Sequence, residues 1–268
     1  MAYTGKSWQL STGTATYMGE GKILDAESSY EADIFSEPGT GGRQLATLPL
    51  TASALPRLRF TMNIRRLTDY VNTNAIITAE GTVPSHTLYS TDGVNPHDLT
   101  SAKVNTCEIR INRGESIKAI IEVIGKTWGS TAFQAGLARA EDPIDWTKAT
   151  LSIAGASITN FRNMGFTVNN SVQAEFLGTT LTPTEVFERQ AIYSGFVERS
   201  VTGADKFSVV AAGTKSSVVY AITNNETIPV TKTYTFSSCP LRVSRKPVRA
   251  LDLDIERIEW DSGVLVIT

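Results

Sequence analysis

Val104 to Trp128 reads VNTCEIRINRGESIKAIIEVIGKTW, and this stretch constrains the fold more than any other. Cys107, Ile109 and Ile111 alternate with Glu108, Arg110 and Asn112. After a short break, Ile117, Ala119, Ile121 and Val123 alternate with Lys118, Ile120, Glu122 and Ile124. Apolar residues two apart share one face of a strand. Between the runs lies Asn112-Arg113-Gly114-Glu115, where the glycine can take the positive φ of a tight reversal. The expectation is a long antiparallel hairpin with a dry face and a wet face that carries both charge signs. A lone hairpin is marginal in water, so further strands must flank it and a second layer must cover its dry side.

The rest of the chain supplies those strands. Residues 1–35 show little helical periodicity and read as an extended N-terminal arm with strand character around Trp8 and Leu10 and again from Ile23 to Phe35. Residues 36–103 read as a long loop or insertion, opened by the Gly- and Pro-rich SEPGTGGR. Within it, Leu58, Phe60, Met62 and Ile64 mark a strand in basic surroundings (Arg57, Arg59, Arg65, Arg66). Past the hairpin, a short helix is expected somewhere in 131–140. Strands are expected at 149–154, around Phe166 and Val168, and at 192–201, 207–212, 217–222, 232–236, 251–260 and 263–268. Thr182-Pro183-Thr184-Glu185 has the form of a helix start, with a threonine cap, proline at the first position and glutamate three after the cap. Many short strands, one short helix and no βαβ rhythm give an all-β sandwich, read as a single domain over residues 1–268.

Composition narrows function by exclusion. A net charge of −2 does not suit a protein that grips nucleic acid through many phosphate contacts. The N-terminus lacks the pattern of a secretory signal, and no apolar run approaches the ~20 residues of a membrane span, so synthesis in the cytoplasm without membrane insertion is expected. Cys107 lies on the apolar side of the hairpin and reads as a buried free thiol, in preference to a disulfide with Cys239. Gly5-Lys6-Ser7 has too little chain before it for a phosphate-binding loop, and Gly125-Lys126-Thr127 has Ile120 where the earlier glycine belongs. His86, His97 and Cys107 match no zinc spacing and read as loop histidines and a core thiol. Asp252, Asp254, Glu256, Glu259 and Asp261 lack the calcium-loop pattern and read as a solvated or interface face. They follow a basic block, Arg242, Arg245, Lys246 and Arg249. Such blocks usually solvate a surface, and they would also suit a subunit whose oppositely charged ends meet in a stack. No enzyme chemistry, cofactor or metal is expected.

Several pieces, in order, resemble the major tail tube proteins of long-tailed bacteriophages and related tailed viruses. They are the hairpin Val104–Lys126, the strand FTVNNSVQAEF with its Asn-Asn end, Pro183 with the short helix, and the glycine-bearing return strand IYSGFVERSV. The resemblance runs from about residue 100 to the end. It implies a β-sandwich with a flanking helix, six copies in a ring, and rings stacked into the tail tube of the virion. Its partners would be further copies of itself, with tape-measure, tail-terminator and baseplate proteins, while viral DNA passes through without tight binding. The wet side of the hairpin would then line the channel through Glu108, Arg110, Lys118 and Glu122, joined by Thr167 and Asn169. Residues 1–100 would serve ring-to-ring contacts.

Two other readings compete. The inner tube of a contractile injection device belongs to the same structural class. A sandwich that binds carbohydrate or a receptor would need an aromatic platform, and the four tryptophans, at 8, 128, 146 and 260, form no clustered stripe.

Overall fold

The computed structural model describes residues 9–12, 23–35, 50–67, 70–76, 83–91, 96–134, 142–177, 182–201, 213–248 and 253–268. The strands are β1 Gln9–Ser11, β2 Ile23–Phe35, β3 Leu50–Asn63, β4 His86–Thr91, β5 Pro96–Asn112, β6 Lys118–Ile124, β7 Thr127–Gly129, β8 Ala149–Ile153 and β9 Ala156–Ser157. They continue with β10 Phe161–Asn169, β11 Gln173–Glu175, β12 Glu185–Phe187, β13 Ile192–Ser200, β14 Ser216–Thr223, β15 Thr231–Cys239, β16 Leu241–Val248, β17 Leu253–Ser262 and β18 Leu265–Ile267. The larger sheet has the order β16-β17-β13-β10-β5-β6-β3-β2, with β1, β4 and β7 attached beside the first half of β5. A second sheet, β18-β15-β14-β8-β9, packs over it, and β11-β12 stands apart as a small hairpin. Every pairing among the described residues is antiparallel. The chain is all-β.

The hairpin expected from alternation is β5-β6, and its parity is as read. Cys107, Ile109, Ile111, Ile117, Ala119, Ile121 and Val123 are all buried. Glu115 N–H closes the turn onto Asn112 O at 3.1 Å, with Gly114 at φ +87°. The first half of β5 pairs with β4 and β7, and the second half with β10 and β6. Ser101 at φ +49° and a register shift between Val104 and Thr106 mark the bend between the halves. An irregularity of this kind lets one strand serve two surfaces.

Residues 36–103, read as a long loop or insertion with some strand in it, contribute β3 over the strand expected from Leu58, with β4, the start of β5 and a π-helical turn at Val71–Ala75. Two other expectations need correction. The helix expected from Thr182 is instead β12, paired with β11. Two residues past Thr182, the expected cap, Thr184 Oγ1 accepts from Leu177 N–H at 3.2 Å and Thr184 N–H donates to Glu175 O at 2.7 Å, so the segment pairs as a hairpin where a helix was expected. A helix of fewer than ~12 residues is marginal, and β-branched Val186 is better used packing on Ile124 and Val172. The basic and acidic blocks are not opposite ends of the subunit. They are neighbouring strands, β16 and β17, and Arg242 pairs with Asp261 at 2.8 Å. The strand expected at 207–212, the loop 36–43 and most of the helix expected in 131–140 lie outside the described residues.

Aromatic side chains join the two layers. Trp260 of the larger sheet stacks on Phe236 of the smaller one with ring centroids 4.3 Å apart, and Phe166 lies 5.1 Å from both Tyr220 and Tyr234. Such contacts add about 0.5–1.5 kcal/mol each beyond area burial. The Tyr220 hydroxyl crosses the interface to the carbonyls of Gly165 (2.9 Å) and Phe196 (3.2 Å). Opposite Trp260 in the ladder is Gly195, where a Cβ would sit 2.1 Å from the indole. The indole therefore needs a glycine beneath it.

The π-helical turn plugs one end of the core. Asn72 accepts from the Tyr234 hydroxyl at 2.8 Å, and buried Asn170 donates to Ala75 O and Val104 O. Tyr70 hydrogen-bonds His86 Nε2 at 2.9 Å. His86 was expected in an exposed loop, but β4 carries it inward, and desolvation lowers its pKa to about 4 against a weaker opposing backbone bond at Pro84.

Gly195→Ala is expected to lower stability by about 3 kcal/mol, an overpacking cost at the upper end of the usual range, read as a drop in Tm. His86 yields a pH prediction. Its folded pKa lies below the unfolded value, so the unfolded chain takes up the proton first. This contribution is intact above pH ~6.5 and falls between there and pH 4, by up to ~1.4 kcal/mol per pH unit. Urea unfolding of wild type and His86→Gln should therefore diverge in slope over that window and run parallel above it.

Candidate functional site

The side of the larger sheet turned away from the second layer carries the residues that sequence reasoning singled out. Register places them in rows across the strands. Thr167 faces Glu108, which faces Ile120 and then Thr61. Gly165 faces Arg110, Lys118 and Asn63. Asn169 faces Thr106, Glu122 and Arg59. Glu108, Arg110, Lys118, Glu122, Thr167 and Asn169 thus lie on one continuous surface built by three adjacent strands. Phe166 and Val168, one residue out of phase, are buried against the other layer.

The charges on this surface are neutralised locally. Glu108 takes a two-pronged bond from Arg110, Nε at 2.6 Å and Nη2 at 3.1 Å, and this bond raises the guanidinium pKa above its ordinary value. Lys118 Nζ lies 2.6 Å from Glu115. Glu122 accepts from Asn105 Nδ2 at 2.7 Å and has Arg57 at 4.0 Å. With a side-chain exposure of 25 %, Glu122 is half-buried and still reaches water. Asn169 Oδ1 accepts from Ser171 N–H at 2.8 Å, so this side chain also shapes the strand end. Half-exposed pairs of this kind add little stability, about 0–1 kcal/mol each. Their larger effect is to flatten the potential over the surface, because Arg110 and Lys118 each have a carboxylate at 2.6 Å and Glu122 has Arg57 at 4.0 Å.

The surface is wider than the six residues. On one side β3 adds Arg57, Arg59, Thr61 and Asn63. The signal was present in LRFTMN, where these residues alternate with buried Leu58, Phe60 and Met62. On the other side β13 and β17 add Glu198, Arg257, Glu259 and Asp261. Arg257 lies 2.7 Å from both Glu198 and Glu259, and its guanidinium stands over the Phe196 ring at 4.6 Å. No single-strand pattern could have shown that Arg257 bridges two strands, since that depends on the β13-β17 register.

One end of the surface is covered. The β11-β12 hairpin lays Val172 and Val186 on Ile124, with Leu55 beside them. Glu188, just past β12, pairs with Lys103 of β5 and accepts from Val83 N–H at 3.0 Å. Burial alone would raise the Glu188 carboxyl pKa; these bonds outweigh it and hold the pKa below the ordinary value.

The thiols and imidazoles among the described residues are buried or engaged. Cys107 and Cys239 are free thiols, both buried, and burial pushes the Cys107 pKa up. His97 stands edge-on to Trp128 at 6.2 Å, while His86 is occupied by Tyr70. Among the described residues, no three His, Cys, Asp or Glu side chains gather as a metal-holding group. At Gly125-Lys126, the backbone N–H groups donate to Pro56 O and Thr100 O, so they are not turned toward a phosphate. Among the described residues, no helix is long and apolar enough to cross a membrane.

No curated protein matches the chain. The family model described as phage tail tube protein matches residues 10–256 of the 268, reaching well before the segment that first carried the likeness. With a match of that extent, a two-layer all-β fold and one broad polar sheet surface, the chain belongs to the phage tail tube family, a structural component of the virion tail.

Proposed function

We propose that this chain is the repeating subunit of the tail tube, assembling into six-membered rings that stack into a conduit for the viral genome. The observation that carries this reading is the polar side of the larger sheet. It spans many strands, is wet, and neutralises its own charges at 2.6–2.8 Å. A surface facing bulk water has no need of such evenness. A bore through which a polyanion must slide does, since a run of uncompensated lysines or arginines would release counter-ions and hold the DNA. Glu108, Arg110, Lys118, Glu122, Thr167 and Asn169 lie along that bore, with Arg57 and Arg59 beside them. The larger sheet ends in β16 and β2, which have no outer strand partner among the described residues. Burying open edges against neighbouring copies removes an aggregation hazard and closes the wall.

The β2-β3 pair extends past the sheet. β3 meets β6 only from Arg57 to Asn63, while the β2-β3 register continues to Phe35 and Leu50. The resulting two-stranded ribbon is roughly 20 Å long at ~3.3 Å per residue and suits contacts between successive rings. Tape-measure, terminator and baseplate proteins would meet the finished tube along its bore and at its two ends.

Negative-stain microscopy of the concentrated protein tests the reading. Rings or tubes with a central channel are the expected outcome, and particles that remain monomeric at high concentration would overturn it. Within assembled virions, Glu122→Lys is expected to leave folding and tube formation intact and to slow DNA ejection, because it adds a cation next to Arg57 and Arg59. Ejection at the wild-type rate would remove Glu122 from the bore.

A further inference from the structure

Register tells the two ends of the sandwich apart. At one end, Asn169 of β10 lies beside Thr106 of β5 and Ile192 of β13. At the other, Asn163 lies beside Asn112, and the Arg113-Gly114 turn closes there, with Arg113 N–H donating to Arg162 O at 2.9 Å. β8 starts from this turn end, because Trp146, just before it, donates its N–H to Glu115 O at 3.1 Å. Ile222 of β14 lies opposite Ala149, so the loop after β14 also leaves at the turn end, where Asn225 Nδ2 donates to Pro143 O at 3.0 Å. Five large apolar side chains are exposed among the described residues. Ile228, the most exposed at 80 %, sits in that loop. Ile192 (55 %) lies at the opposite end, and Leu177 (54 %) lies past β11 in the hairpin that springs from it. The other two, Val264 and Val266, belong to β18 and its approach, at an edge of the smaller sheet.

A lone exposed isoleucine is ordinary on a protein surface. This one is held out by a loop of fixed shape. Buried Asn224 donates its N–H to Val230 O at 3.0 Å, and its Oδ1 accepts from Val230 N–H at 2.8 Å. Glu226 pairs with Arg66 at 2.7 Å. With the base and first leg tied, Thr227-Ile228-Pro229 forms the tip, and it carries no charge. Proline after Ile228 keeps the isoleucine backbone out of the helical region. An apolar tip set in advance loses little freedom when it is covered. Charge offers the stack no such direction from residues 242–261, since those basic and acidic blocks lie side by side on β16 and β17.

Resting on the tube reading above, we infer that successive rings meet through an apolar joint, in which Ile228 of one copy is covered by the Ile192 and Leu177 end of a second copy in the next ring. Rings stacked with one polarity bring the turn end of each subunit against the hairpin end of another. That single operation buries three of the five exposed apolar side chains. Rings stacked back to back would set Ile228 against its own kind and leave Ile192 and Leu177 of the same joint in water. Exposed Arg113, Glu115 and Lys148 share the turn end and supply polar contacts beside the apolar one. The contact is small in one subunit, but every copy in the ring repeats it, so weak single contacts accumulate across the joint. An apolar joint also has its own response to salt. Sulfate strengthens apolar burial and screens ionic contacts, so the two kinds of joint respond in opposite senses.

Counting rings and tubes by negative-stain microscopy tests the joint. Ile228→Asp is expected to keep the wild-type circular dichroism spectrum and to give rings that do not stack. Ile228→Ser should raise the concentration needed for tubes about tenfold, as expected from one aliphatic side chain no longer buried. Leu177→Ser, on the opposite face of the joint, should raise it in the same way. Added sodium sulfate should lengthen wild-type tubes. Tubes of Ile228→Asp at the wild-type concentration would overturn the joint and leave the isoleucine to another protein or to water, with the tube reading standing. Folded Ile228→Asp that loses rings as well as tubes would put Ile228 in a contact within the ring and overturn the joint too. Wild-type tubes that come apart into rings as sulfate rises would do the same. An unchanged threshold in Leu177→Ser would overturn it whether or not the aspartate variant folds. A wild type that never assembles would overturn the tube reading and this inference with it.

Discussion

Everything in this fold depends on one sheet keeping its two faces apart. Along β5, β6, β10, β13 and β3 every second residue is driven inward by burial of apolar area, and the residues between are thereby left in water. A slip of one residue in any of these strands would push Glu108 or Arg110 into the core and Ile109 out of it. Each fully buried side chain contributes about 1.5–3 kcal/mol, so a slipped strand forfeits several such terms at once. The polar wall is thus the necessary other side of the hydrophobic core. It is held in place by residues that never touch it.

The second layer makes that separation permanent. Phe236, Tyr220 and Tyr234 reach down onto Phe166 and Trp260, and the Tyr220 hydroxyl bonds two carbonyls of the larger sheet. A glycine allows the close fit, since Gly195 leaves room for the indole of Trp260. On the wet side, the Phe196 ring next to Gly165 is held under the Arg257 guanidinium, which two carboxylates fix in turn. An apolar ring on the polar surface is thereby shielded without being buried in the core.

The legible parts of the sequence were those where local pattern and burial agree. Alternation in CEIRIN and IKAIIEV gave the hairpin, its turn and its wet face, because a two-residue period has one structural meaning when one side is buried. The helix expected at Thr182 failed for the opposite reason. Its capping signals were local, while the outcome was decided by a distant partner, β11, and by a hydrophobic seat at Ile124 on another part of the chain. The charge blocks at 242–261 left two readings open for the same reason, since a linear reading cannot tell a folded-back pair of strands from two ends of a molecule. His86 was misjudged because its polar neighbours in sequence suggested a loop, and its burial follows from Tyr70 and the π-helical turn. Asn170 shows the same limit, because its bonds to Ala75 and Val104 join segments 95 and 66 residues away.

Charge on the polar face is settled over short distances. Arg110 with Glu108, Lys118 with Glu115, Arg257 with Glu198 and Glu259, and Arg242 with Asp261 each pair within 2.8 Å. A charge on this face is thus answered by a neighbour on the same strand or on the strand beside it, so the face is rich in charge and presents little net potential. On the tube reading, that is what a surface along which a polyanion slides requires, because unpaired cations would release counter-ions and hold the DNA.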